Sequence, residues 1–387
     1  MRIGIDCRTI LNPDAGEKAG VAHYTYHLVK TLLAQDKLDE FVLFFDHRAR
    51  DIFRNFLEPN TIIRFFSYSK YKKYLPFVYS HILSASTLDA EKLQVYHSPA
   101  NVVPLRYRGK YIVTVHDLAI YREPRVFPAR QGFSIKYLVP KSVQRADRVI
   151  AVSNSTKKDI QEFFGVPEQK ISVIYEGVDH ARFSAPHDIS KVREHLKNTY
   201  QITKDYILFV GTLEPRKNLI RLLEGFYQLV SRQPQIKKRY QLVLAGAKGW
   251  LYDEIFEEAK NRNLQDMVIF PGYLPIHDLP KLYQGATFFV YPSLYEGFGL
   301  PVLEAMAAGT PVITSNNSSL VELAGGACEL VDPYDTEGMS RALQRLVEDV
   351  DYRRKLSKRG KARAREFSWE KCAQETLAVY RGVGEGG

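Results

Sequence analysis

Short apolar runs alternate with three- and four-residue apolar spacing from one end of the chain to the other. That alternation marks parallel strands joined by crossover helices, so the class is α/β. In the first half the runs predict strands at Arg2–Asp6, Glu40–Phe45, Thr61–Phe66, Tyr111–Val115, Arg148–Val152 and Lys170–Tyr175. Tyr24, His27, Leu28, Thr31 and Leu32 fall on one face of a helix expected at Val21–Ala34. The pattern then restarts. Tyr206–Val210, Gln241–Ala245, Met267–Phe270, Thr287–Tyr291 and Pro311–Thr314 read as strands. Leu219, Leu222, Leu223, Phe226, Leu229 and Val230 form an apolar helical stripe behind Asn218, a residue type suited to a helix N-cap. Asp179–Asp205 breaks the rhythm with Pro186 and a polar helix, which puts a domain join there. Two doubly wound, Rossmann-like domains follow, residues 1–185 and 186–366, with a cleft between them as the expected ligand site.

Composition narrows the class further. Of 387 residues 45% are hydrophobic and 25% charged, ordinary globular values that exclude bulk disorder. No apolar run approaches the roughly 18 residues of a membrane span, and Asp6 falls too early for a secretory leader, so a cytoplasmic location is expected. Cys7, Cys328 and Cys372 have neither disulfide nor metal-ligand spacing and read as reduced, packed thiols. The net charge of +10 is uneven: from Tyr68 to Arg148 there are 14 Lys/Arg against 5 Asp/Glu, with nine tyrosines interleaved. Such a window, including Lys70-Tyr71-Lys72-Lys73-Tyr74, suits an anionic membrane surface or a nucleic acid. A solvated basic face explains any single lysine equally well.

The candidate chemistry concentrates between Tyr291 and Pro311, which reads as strand, Gly-rich loop, short helix and stop. Pro301 suits the first helical turn, where its missing N–H would be unbonded anyway, and Gly309 with Pro311 ends the helix. The loop Gly297–Leu300 then offers free backbone N–H groups beside a helix N-terminus, a place fitted to a phosphate. Glu296 is expected on the loop and Glu304 in the first helical turn. Carboxylates accept hydrogen bonds from sugar hydroxyls, so a pair flanking a diphosphate site points to a ribose on one side and a hexose on the other. An isolated Glu pair would mean only a solvated acid and a complement to the helix dipole. A second cluster, Gly211-Thr212-Leu213-Glu214-Pro215-Arg216-Lys217-Asn218, follows a strand end, where open α/β sheets bind ligands. Arg216 and Lys217 could neutralise a leaving diphosphate in place of a metal.

These segments resemble family 4 of the retaining glycosyltransferases, which have the two-domain GT-B fold. The likeness runs over essentially the whole chain. It rests on Glu296 through Glu304, which matches the family's Glu-x7-Glu motif, on Gly211-Thr212 to Asn218, and on Pro271-Gly272-Tyr273. It rests also on Gly20-Val21, on Thr114-Val115-His116-Asp117-Leu118 and on Ala151-Val152-Ser153-Asn154-Ser155-Thr156. Several separated matches in order weigh more than one glycine-rich loop.

The resemblance implies that Glu304 holds the donor ribose, Arg216 and Lys217 the diphosphate, and Glu296 the transferred sugar, helped by the N–H groups of Phe298, Gly299 and Leu300. Tyr273 would lie at the base pocket, Gly20 would let the N-terminal loop approach the phosphates, and His116 would sit at the sugar. Without the resemblance, His116 would read as a satisfied core histidine. The final helix, in residues 367–387, would cross back to the N-terminal domain. Many members carry Asn-Gly-Val-Asp where this chain has Glu176-Gly177-Val178-Asp179, which leaves position 176 outside the candidate set. Asp349-Val350-Asp351 matches the metal-binding Asp-x-Asp string, but its neighbours read as a solvated helix start.

The expectation is thus a metal-independent hexosyltransferase with no cofactor. Its donor would be a nucleotide sugar, GDP-mannose or a UDP-hexose, and its acceptor a glycan or a lipid-linked glycan, with peripheral contact to an anionic membrane. The look of Gly20 to Thr25 resembles bacterial polysaccharide mannosyltransferases. A glucan phosphorylase or synthase of the same fold is one alternative. A non-enzymatic protein binding membrane or nucleic acid is another, but it leaves the two glutamates unexplained, so no nucleic-acid partner is expected.

Overall fold

The computed structural model of the chain describes residues 1–11, 20–49, 51–66, 82, 84–128 and 134–385. Part of the tyrosine-rich basic window, including Lys70–Tyr74, lies outside them. The chain divides into two compact units: Met1–Tyr121 with Ala129–Gly177 and Trp369–Gly387, and Val178–Ser368 with Arg122–Pro128.

The first unit is built on seven parallel strands in the order β3-β2-β1-β4-β5-β6-β7. They are β1 (Arg2–Asp6), β2 (Glu40–Phe45), β3 (Thr61–Phe65), β4 (Val95–Ser98), β5 (Tyr111–Val115), β6 (Arg148–Ala151) and β7 (Ile171–Val173). Every residue of β4 and β5 is buried, as a parallel sheet covered on both faces requires. The helix Gly20–Gln35 buries Tyr24, Leu28 and Leu32 against this core. The helix Trp369–Gly384 belongs to the same unit: Trp369 stacks on His27 with ring centroids 5.1 Å apart, and Arg381 pairs with Asp36 at 2.8 Å.

The second unit holds six parallel strands in the order β10-β9-β8-β11-β12-β13. These are β8 (Asp205–Val210), β9 (Tyr240–Ala245), β10 (Val268–Gly272), β11 (Phe288–Tyr291), β12 (Val312–Ser315) and β13 (Glu329–Val331). The apolar stripe of the helix Leu219–Arg232 is buried along its whole length. Residues 122–128 join this unit through Trp250, whose indole N–H donates to the Val126 carbonyl at 2.7 Å, and through Tyr334, whose hydroxyl donates to Glu123 at 2.8 Å. Both units are therefore doubly wound parallel α/β, the class expected. All three cysteines are free and buried.

Candidate functional site

Strand order gathers the charged side chains of the second unit. β8 and β11 are hydrogen-bonded neighbours although β9 and β10 separate them in sequence, so the chain leaves their carboxyl ends toward opposite edges and a crevice opens there. Glu214, Arg216, Lys217 and Asn218 follow β8, and Glu296 follows β11. The two loops are tied together. The Leu294 N–H donates to the Arg216 carbonyl at 2.9 Å, and the Asn218 amide donates to the carbonyls of Pro292 and Pro333 at 3.1 and 2.7 Å. Asn218 was expected to cap the following helix with its side chain. Its backbone is instead left-handed, with φ of 60°, and its amide is taken up by those carbonyls.

Glu296 is 7% exposed and lies between two cations, Lys217 Nζ at 2.5 Å from Oε1 and Arg216 Nη1 at 2.9 Å from Oε2. Arg216 also pairs with Glu214 at 2.8 Å, and Lys217 donates to the Tyr291 hydroxyl at 2.7 Å. Two carboxylates and two cations thus form a buried quartet of zero net charge. Burial pushes the Glu296 carboxyl up, but the Arg216 and Lys217 charges outweigh it and hold the group at about 2. Burial, with the neighbouring Arg216, pushes Lys217 below the ordinary lysine value. Burial also pushes Glu214 up, against the pull of Arg216 and Lys217. Roles assigned separately by resemblance therefore fall on side chains in direct contact. Glu296 competes with any phosphate oxygen for the same two cations.

The helix Leu300–Ala308 opens on Gly299, where a φ of 108° and a Cβ that would fall 2.8 Å from Leu320 both require glycine. With the helix starting at Leu300, Glu304 sits in its second turn and not in the first, beyond the main reach of the helix dipole. Glu304 is partly buried, and the Tyr283 hydroxyl donates to its Oε2 at 2.8 Å. Burial pushes its carboxyl up to about 7, with Tyr283 and Arg182 opposing. Ser319 Oγ lies 2.9 Å from the carbonyls of both Glu296 and Phe298, which fixes the loop. The N–H groups of Gly299 and Leu300 have no protein partner among the described residues. Tyr273 stands exposed just beyond β10.

In the first unit, His116 follows β5. Its Nε2 lies 2.8 Å from the Pro99 carbonyl and its Nδ1 3.1 Å from Glu176, and the Tyr24 ring meets it edge-on at 4.7 Å. Gly20 opens the helix Gly20–Gln35, is exposed, and would gain no contact within 4 Å from a Cβ. Several described cations of the basic window serve their own unit: Lys110 donates to the Val383 carbonyl at 3.0 Å and Arg145 to that of Leu105 at 3.0 Å. In the Asp-x-Asp string, Asp349 caps the helix Val350–Ala364 by accepting from the Tyr352 N–H at 2.8 Å, and Asp351 pairs with Arg354. Among the described residues no group of three or more His, Cys, Asp or Glu is placed to hold a metal ion.

Sequence reasoning missed Glu214, Glu176, Tyr283 and Ser319. Of these only Glu176 carried a signal, its departure from the family pattern at a strand-end turn.

Residues 19–182 match the family described as Glycosyltransferase Family 4, and residues 192–363 match Glycosyl transferases group 1. The chain is 33% identical over 287 residues to the O-antigen chain mannosyltransferase B of Escherichia coli, covering 74% of each. It is 29% identical over 285 residues to the serotype-specific mannosyltransferase WbdA of the same organism, covering 73% of this chain and 34% of that one. Among solved structures, the sucrose-phosphate synthase of Thermosynechococcus elongatus superposes with a TM-score of 0.78 at 22% identity, covering 100% of both chains.

Proposed function

The chain belongs to glycosyltransferase family 4, and from that membership we propose that it moves mannose from GDP-mannose to an acceptor hydroxyl, with retention of configuration and without a metal ion. The product would be a polysaccharide or glycolipid. The observation that carries the reading is the Arg216, Lys217 and Glu296 cluster at the β8–β11 crevice, beside a helix N-terminus with unpaired N–H groups. Two fixed cations can draw a diphosphate into the crevice and stabilise the charge that grows on it as the sugar leaves. A phosphate oxygen that displaces Glu296 from Arg216 and Lys217 frees that carboxylate to accept from a sugar hydroxyl.

The transfer itself needs one bond made and one broken at the anomeric carbon. The bond to the phosphate oxygen breaks, the acceptor oxygen bonds on the same face, and the acceptor proton passes to the leaving phosphate. Mannose as the sugar is supported by the likeness to two mannosyltransferases of Escherichia coli.

A thermal-shift panel of GDP, UDP, ADP and their sugars tests the donor, because a ligand of the folded state raises Tm. GDP and GDP-mannose are expected to give the largest shifts. A response to UDP-sugars alone transfers the reading to a UDP-hexose, and no response to any nucleotide defeats it. Phosphate-dependent release of sugar phosphate from a glucan would identify a phosphorylase instead. Glu304→Ala is expected to weaken GDP at least about tenfold, the loss of one hydrogen bond to a charged group. Because the carboxylate form accepts from a ribose hydroxyl, GDP affinity should rise as pH passes about 7, and Glu304→Gln should flatten that rise.

A further inference from the structure

The helix Leu300–Ala308 starts beside Glu296 and ends at Gly309, about 13 Å away at the ordinary helical rise. At that far end a cleft of about 440 Å³ opens against the helix Val350–Ala364. Its lining carries four cations, Arg353, Arg354, Lys358 and Lys361, and no carboxylate.

The partners of these cations differ. Arg353 is anchored on the carbonyls of Leu346 and Val347, the latter at 3.0 Å. Arg354 shares an exposed pair with Asp351, an arrangement of little strength in water. Lys358 and Lys361 have no carboxylate partner among the described residues. The stem of Lys361 reaches the cleft across Gly309: a Cβ at 309 would fall 2.0 Å from Lys361 Cε. Carbonyls at helix ends account for Arg353 and give Lys361 a favourable setting. They do not account for Lys358. Along the helix, Arg354, Lys358 and Lys361 recur at four- and three-residue spacing and so share one face.

We propose that this cleft binds a multiply charged phosphorylated anion, at a site separate from the Arg216, Lys217 and Glu296 cluster. Clustered like charges repel, and an anion that enters relieves the repulsion while its oxygens accept from several N–H donors. Phosphates of a soluble metabolite and of lipid headgroups present the same oxygens. The inference does not rest on the proposed transfer reaction, because its residues lie outside that machinery.

The probe is inorganic pyrophosphate, followed by calorimetric titration of the full chain. Lys358→Glu/Lys361→Glu is expected to lose one binding event, or to weaken it at least about tenfold. Lys355→Glu/Arg359→Glu changes the net charge equally on the neighbouring exposed face and should retain it. Binding of pyrophosphate elsewhere is common to all three proteins and cancels in the comparison. Lys358→Gln/Lys361→Gln, which avoids charge reversal, should weaken binding in the same direction. Unchanged binding in both cleft variants overturns the proposal, as does equal loss in the neighbouring-face variant, which would report overall charge alone. Co-sedimentation with vesicles of phosphatidylcholine and phosphatidic acid, whose phosphomonoester can carry two charges, separates the sources. Sedimentation lost by the cleft variant alone assigns the site to a lipid headgroup, and pyrophosphate binding without sedimentation assigns it to a soluble anion.

Discussion

Both units bury a glutamate beyond the carboxyl ends of their strands, and they balance its charge in different ways. Glu296 meets two side-chain cations, Arg216 and Lys217. Glu176, 4% exposed, meets the imidazole of His116. A carbonyl can only accept, so the His116 Nε2 facing Pro99 must carry hydrogen. Nδ1 faces the Glu176 carboxyl at 3.1 Å. The second unit thus sets its glutamate between two side-chain cations, whereas the first sets its glutamate against an imidazole.

The largest expected break in this contrast is Glu296→Ala. It leaves buried Lys217 without its carboxylate and Arg216 with Glu214 alone, a loss of about 3–5 kcal/mol when one partner of a buried pair is removed. Tm should fall and recover with GDP, whose oxygens replace the carboxylate, while transfer slows by about a hundredfold or more. A parallel loss of GDP affinity would mean that Glu296 and the cations act as one binding group.

Acid should separate the units next. Burial, with His116 nearby, pushes the His97 imidazole down to about 3. Its folded value lies below the ordinary 6.5, so the unfolded chain takes the proton first. Stability is full above 6.5 and falls by about 1.4 kcal/mol for each pH unit toward 3. The contribution of Glu296 is lost only as pH drops from 4.5 toward 2. Hydrogen exchange between pH 6.5 and 4.5 should therefore open the first sheet before the second. His97→Gln should blunt the difference, and earlier opening of the second sheet would reverse the assignment. The smallest effect is expected from the His116–Glu176 pair, a coupling of about 1.5 kcal/mol in a double-mutant cycle of His116→Ala with Glu176→Ala. Additive losses would show that the two residues do not act together.

Strands were legible where an apolar run is covered on both faces, as in Glu40–Phe45 and Tyr111–Val115. β4 was not, because His97 and Ser98 are polar and their burial depends on distant partners. The His97 Nδ1 meets the Tyr380 hydroxyl at 2.6 Å, 283 residues later. β13 escaped because three residues, one of them Glu329, make no pattern. At the site, Arg216, Lys217, Glu296 and Glu304 were legible as motif positions. Their mutual contacts were not, since strand order brings β8 beside β11 and local sequence carries no trace of that choice. Glu214, Tyr283 and Ser319 take their importance entirely from contacts across loops.

The helix Trp369–Gly384 also bears on how the molecule is made. Its Tyr380 satisfies His97 and its Trp369 covers His27, so it is part of the first unit's interior. Yet a ribosome synthesises it after the whole of Val178–Ser368. The unit that begins first is therefore finished last. During synthesis His97 lacks the Tyr380 hydroxyl, and His27 of the helix Gly20–Gln35 lacks its cover by Trp369, until residues 369–384 leave the exit tunnel.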